Sequence, residues 1–245
     1  MGRLSIAAVT AGLLLSAGAC ATSGQPDNTA AIAAAVADSG RPAADRERDA
    51  HRKPAEMLAI AGVGPGSKVG ELIPGGGYFT RIFSKAAGPS GRVYAIISPP
   101  TAQRPAAVKA IAADPAYPNI TVIEGPVPQF TTPEKVDVVW TSQNYHDVPP
   151  AQRGQLNKAV FEALKPGGVY IVLDHSAPKG AGEAAHSALH RGDEDLIRAE
   201  IAAAGFQFVQ AYDTLKNPND DRTKRVFDAA VRGDTDQFIL KYRKP

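Results

Sequence analysis

Cysteine is almost absent from this chain: Cys20 is the only one among 245 residues. An internal disulfide is therefore excluded, as is any metal cluster built on cysteine. Charge of one sign is scarce too. The 27 lysines and arginines stand against 25 acidic residues, a formal net charge of +2. No basic block and no interleaving of aromatic with basic residues occurs, so the chain has no electrostatic footprint for nucleic acid. The apolar run at residues 4–15 falls short of the ~20 residues that a spanning helix needs. Internal repeats are missing, and so is any short metal motif such as His-Glu-x-x-His, so no residue is assigned as a metal ligand. What remains is an ordinary globular composition, 44% hydrophobic and 21% charged, with enough chain for one domain and its core.

The start has a short positive segment at Arg3 followed by that apolar run, the pattern of a secretory signal. Ser16-Ala17-Gly18-Ala19-Cys20 follows, and small residues before a cysteine resemble the bacterial lipobox. The expectation is a signal peptide at residues 1–19, acylation of Cys20 and a membrane anchor through lipid, with the protein at the periplasmic face as a lipoprotein. A plain signal cut after Ala19 or Ala21, leaving a soluble periplasmic protein, is the alternative. Residues 20–40, rich in Ala, Ser, Gly, Asp and Asn, are expected to be a flexible tether. The folded domain is expected over residues 41–245.

Along that domain, apolar periodicity alternates between strand-like and helical runs, which predicts a parallel sheet covered by helices. Helices are expected at residues 45–61, 78–87, 102–113, 151–164 and 186–204. Strands are expected at 68–73, 92–97, 119–123, 136–141, 168–174, 206–211 and 237–241. Ligands of such doubly wound α/β sheets bind beyond the carboxyl ends of the strands.

Two motifs carry a resemblance. Glu71-Leu72-Ile73-Pro74-Gly75-Gly76-Gly77 joins a strand to a helix, where glycines let the backbone approach a ligand. Leu164-Lys165-Pro166-Gly167-Gly168 precedes the fifth strand. Together they resemble the class I S-adenosylmethionine (SAM) methyltransferases. Lys53-Pro54, Tyr78-Phe79-Thr80, Asn144-Tyr145-His146-Asp147, Asp174-His175, His190-Arg191 and Asp236-Gln237-Phe238 further resemble an exported bacterial "predicted methyltransferase" subgroup, over residues 45–245. The resemblance implies a Rossmann-like sheet, SAM as cofactor and a small-molecule or cell-envelope acceptor. It implies SAM contacts at Glu71, Gly75, Gly76, Gly77, Ser98 and Asn144. His146 or His175 would take a proton, oriented by Asp147 or Asp174, with Tyr145 in the same constellation.

Three positions depart from the family pattern. Ile73 stands where the first glycine is usual. Ile97 ends the second strand, where an acidic residue usually binds the ribose hydroxyls. Pro126 follows Gly125, where an aspartate near the adenine is common. Since SAM is made in the cytosol, an exported chain would meet little of it. Two other readings therefore stay open: a small-molecule-binding lipoprotein on a repurposed fold, and a metal-dependent protein using His146, Asp147, Asp174, His175 and His190. The polar stretch 217–236 reads as a lid carrying Arg222 or as a solvated loop.

Overall fold

The computed structural model describes residues 1–2, 28–101 and 106–245. Apart from the first two residues, the expected signal peptide lies outside the described residues, as does Cys20. Among the described residues no helix is long and apolar enough to cross a membrane.

Four helices, α1 (Thr29–Val36), α2 (Ala43–Arg46), α3 (Asp49–Arg52) and α4 (Pro54–Ala61), precede the first strand, β1 (Lys68–Leu72). Then follow α5 (Tyr78–Ala87), β2 (Arg92–Ile97), α6 (Ala107–Ala113), β3 (Ile120–Glu124), β4 (Val136–Ser142), α7 (Pro150–Ala163) and β5 (Leu164–His175). The chain closes with α8 (Gly182–Leu189), α9 (Glu194–Ala203), β6 (Gln207–Tyr212) and β7 (Gln237–Arg243). The strands form one sheet in the order β3-β2-β1-β4-β5-β7-β6. The first five are parallel, and β7 runs antiparallel to β5 and β6. Strand order reverses between β1 and β4, so a crevice opens beyond their carboxyl ends.

Both faces of the sheet are covered, which is why its strands read as near-continuous apolar runs. Val69, Val138 and Trp140 face a core shared with α1, α4, α5 and α6. Leu72, Val139 and Tyr170 face the other core, with α7 and α9. Fully buried Trp140 has the rings of Phe79 and Phe83 edge-on at 4.8 and 5.5 Å. Aromatic contacts of this kind add to the area they bury and lock α5 onto β4.

The structure corrects three expectations. Residues 29–36, assigned to the tether, form α1, whose Ile32 and Ala35 are buried in the first core. The helix expected over 45–61 is three pieces, because Lys53 takes a left-handed backbone (φ 43°) and Pro54 restarts the helix; proline fits a first helical turn and disfavours helix just before it. The helix expected over 186–204 breaks at His190 (φ 59°), and α9 begins anew with Asp193 accepting from the amides of Asp195 and Leu196, an aspartate N-cap.

Candidate active site

The turn after β1 sets the site. Ile73, Gly75 and Gly77 all take positive φ, at 51, 57 and 79°. A Cβ added at Gly75 or Gly76 would meet nothing within 4 Å, whereas one at Gly77 would lie 2.2 Å from Ile111 Cδ1. Gly75 and Gly76 therefore border open space, and Gly77 is a packing glycine beneath α6. Ile73 occupies the left-handed region that a β-branched residue enters only under strain. Asn144 braces the turn. Its Nδ2 donates to the carbonyls of Ile73 at 3.1 Å and Ser142 at 3.0 Å, while its Oδ1 accepts from the Thr141 hydroxyl. Asn144 is thus occupied within the protein, a correction to its expected contact with a cofactor.

A compartment of about 210 Å³ lies over this turn, walled by Glu71, Gly75, Gly76, Arg48, Arg52 and Ser142. Glu71 is 3% exposed and accepts from the Thr80 hydroxyl at 2.6 Å. Burial pushes its carboxyl up to about 7, against the opposing pull of Thr80 and Arg52. Arg52 donates to Ser142 Oγ at 2.9 Å and lies over the rings of Tyr78 and Phe79 at 4.6 and 4.9 Å. Burial and the neighbouring Arg48 lower it to about 10, so it stays cationic. The α2–α3 segment that carries both arginines is held by Asp49, which accepts from Arg41 at 2.6 and 2.8 Å and from the Tyr78 hydroxyl at 2.5 Å.

Arg48, Arg52 and Gln143 are shared with a second compartment of about 430 Å³, where His175, Phe227 and Arg232 form the far wall. His175 Nδ1 lies 2.7 Å from Thr235 Oγ1. Burial, opposed by Asp174 and reinforced by His146 and Arg191, drops this imidazole to about 4, so it is neutral at physiological pH. The polar stretch before β7 supplies Val226, Phe227 and Arg232 to this wall. Arg222, the residue expected to serve it, instead has its Nε 3.0 Å from Asp236 inside the stretch. Asp220 anchors the stretch by accepting from both Arg191 nitrogens at 2.8 and 3.1 Å, with both side chains fully buried.

The histidines expected to converge do so, but they open onto two clefts. The ring of His146 is 6.1 Å from that of His175 and 4.2 Å from that of His190. His146, Asp147 and His190 line a separate cleft of about 480 Å³ between the turn after β4 and α8. Asp174 Oδ1 holds His146 Nδ1 at 2.7 Å, and its carboxylate also accepts from the amides of His146 at 3.0 Å and His175 at 2.8 Å. Burial lowers the His146 imidazole, but Asp174 outweighs it and the net effect is upward. Tyr145 is withdrawn from the site altogether. It is fully buried, donates to Glu200 at 2.9 Å and accepts from Asn157 at 2.8 Å, which makes it a core residue.

No family model matches the chain. It is 31% identical over 129 residues to an uncharacterized methyltransferase of Synechocystis sp., covering 52% of this chain and 55% of that protein. The chain thus spans about half the length of the curated relative it matches. Among solved structures, a SAM-dependent methyltransferase from Aquifex aeolicus superposes with a TM-score of 0.58 at 16% identity, covering 81% of this chain and 93% of that one. The fold is that of the class I methyltransferases. A possible exported protein of Bordetella parapertussis shares it, with a TM-score of 0.52 at 19% identity over 82% of this chain and 68% of that one.

On the methyltransferase fold, the turns after β2 and β3 face the far end of the same crevice. Ile97 closes β2 with its carbonyl bonded to the Gly125 amide at 3.0 Å, and Ser98 beyond it is exposed. Ser98 borders none of the compartments described above. Sequence reasoning missed Arg48 and Arg52, although their four-residue spacing on a helix puts both on one face. It also missed Thr235, whose role depends on a contact 60 residues away in the chain.

Proposed function

We propose that this protein is a SAM-dependent methyltransferase acting on a small-molecule or cell-envelope acceptor. One observation carries the reading: the compartment over Gly75 and Gly76 is lined by the buried carboxyl of Glu71 and by two guanidinium groups, Arg48 and Arg52, with Asp45 at its edge 3.9 Å from Arg48. That charge pattern fits the zwitterionic amino-acid end of SAM, with Glu71 toward the ammonium and the arginines toward the carboxylate. SAM supplies a methyl group on a sulfonium, and the chain's own work is positioning. The open glycines let the backbone come close to the donor. The adjoining compartment holds the acceptor against Phe227 and Arg232, with neutral His175 in its wall as a hydrogen-bond partner.

Gly75→Val tests this reading. Its Cβ branch would fill open space from a residue held at φ 57°. Calorimetric titration of the full chain with S-adenosylhomocysteine should show binding that the variant loses by at least ~100-fold, or about 2.7 kcal/mol. Equal affinity in both proteins would sink the donor site.

A second reading has its own support. Ile97 and Pro126 remove two polar contacts expected at the ribose and adenine, and this suits a binding protein on a methyltransferase fold. The absence of any SAM or S-adenosylhomocysteine binding would favour it. For location, we propose export and acylation at Cys20. Support comes from the leader pattern and from the fold shared with the possible exported protein of B. parapertussis. Cys20→Ser should move the protein from the membrane to the soluble fraction of cells, and an unchanged distribution would rule the anchor out.

A further inference from the structure

His146 has one ring nitrogen too many for its surroundings. Nδ1 is taken by Asp174, while Nε2 is buried and has no hydrogen-bond partner. A buried polar atom left unpaired costs free energy and calls for an explanation. The carboxylate of Asp147 is too far from Nε2 for a good hydrogen bond. Asp147 Oδ1 stands 3.5 Å from His146 Nε2 and 3.3 Å from His190 Nδ1. These three atoms all lie within 4.8 Å of one another.

Those separations have a chemical meaning. Ligand atoms at ~2.0–2.1 Å from a tetrahedral zinc ion stand roughly 3.3 Å apart. Two of the three edges already match that spacing. We propose that His146 Nε2, Asp147 and His190 Nδ1 bind a divalent transition-metal ion such as zinc, with its remaining position open to the cleft beside α8.

Three further features fit. Asp174, buried and fixed by two backbone amides, sets the tautomer and angle of His146, the usual arrangement behind a metal-bound imidazole. His190 holds a left-handed backbone at the end of α8, and strain of this kind gathers at functional positions. Two imidazoles and one carboxylate are a ligand set suited to zinc and its neighbours. His186, in the same cleft, is not a ligand: its Nδ1 lies 3.1 Å from Glu183 Oε2 and its Nε2 accepts from the Asp193 amide at 3.2 Å. The ion would tie the turn after β4 to the end of α8. This inference stands apart from the methyl-donor reading, since neither SAM nor an acceptor is needed to see it.

The test is metal uptake by the full chain. The protein is stripped with a chelator and titrated first with Co²⁺, then with Zn²⁺. Wild type should take up one equivalent of cobalt with the visible bands of a low-coordinate site, and zinc should displace it. His146→Gln and His190→Asn should each abolish the bands; asparagine tolerates the left-handed backbone, so the second variant keeps the fold. Asp174→Asn should weaken zinc binding by ~10–100-fold. Lack of uptake by wild type at millimolar metal would overturn the proposal. So would a stoichiometric equivalent that survives in both histidine variants.

Discussion

Asp220→Ala is expected to lower the melting temperature by roughly 6–12 °C. The estimate takes ~3 kcal/mol for breaking a buried ion pair and ~2–4 °C per kcal/mol in a chain of this size. The pair is two-pronged, and both side chains are fully buried. Alanine would leave the Arg191 guanidinium buried without its partner. It would also orphan the amides of Arg222 and Asp236, which Asp220 accepts at 3.0 and 2.7 Å. The penalty is mostly that of the stranded charge, so Arg191→Met combined with Asp220→Leu should recover much of the loss. A thermal melt showing a drop below ~2 °C for Asp220→Ala would mean that the stretch before β7 is held by other contacts. The same melt should bear on the site, because this stretch carries Phe227 and Arg232.

Glu71 should give stability an unusual pH dependence. Burial raises its carboxyl from an ordinary 4.5 to about 7. Between those values the folded protein keeps a proton that the unfolded chain has lost, so stability falls as pH rises. The contribution is fully present below 4.5 and is lost by about pH 7, with an amplitude of roughly 3 kcal/mol. Glu71→Gln has no proton to lose and can still accept from Thr80. It should therefore match wild type near pH 4 and exceed it at pH 8, by up to roughly 3 kcal/mol. Urea melts of both proteins across this range provide the check, and parallel curves would contradict the assignment. A residue that weakens the empty protein at neutral pH has to be explained by something other than folding. An ammonium group placed beside it would draw out the ionised form, so donor binding near pH 6 should release protons. Titration in buffers of different ionisation enthalpy would count them.

Much of the fold was legible because apolar periodicity and glycine punctuation agree in the first half of the domain. The bounds expected for α5 and β2 coincide with those observed. The expected helix over 186–204 has no proline or glycine run strong enough to break it. At the break Arg191 turns inward to Asp220, 29 residues further along the sequence. In α1, alanine dominates and only Ile32 and Ala35 are buried, so the helix has no apolar stripe to announce it. At the site, strand ends told where His146, His175 and His190 would gather. They did not tell which cleft each would face, since that depends on which ring nitrogen Asp174 and Thr235 engage. Tyr145 misled for the opposite reason: a polar residue among polar neighbours turned out to find its partners, Glu200 and Asn157, inside the core.

The docking of α1 bears on the anchor proposed at Cys20. The described part of the domain includes Asn28, whose side chain packs against Gly64, ahead of the expected start at residue 41. Were Cys20 acylated as proposed, eight steps along the chain would join it to Asn28. At ~3.4 Å per residue they reach at most ~27 Å, close to the ~30 Å hydrocarbon thickness of a bilayer. A protein held on so short a lead would work only on molecules that lie at that surface or come to it.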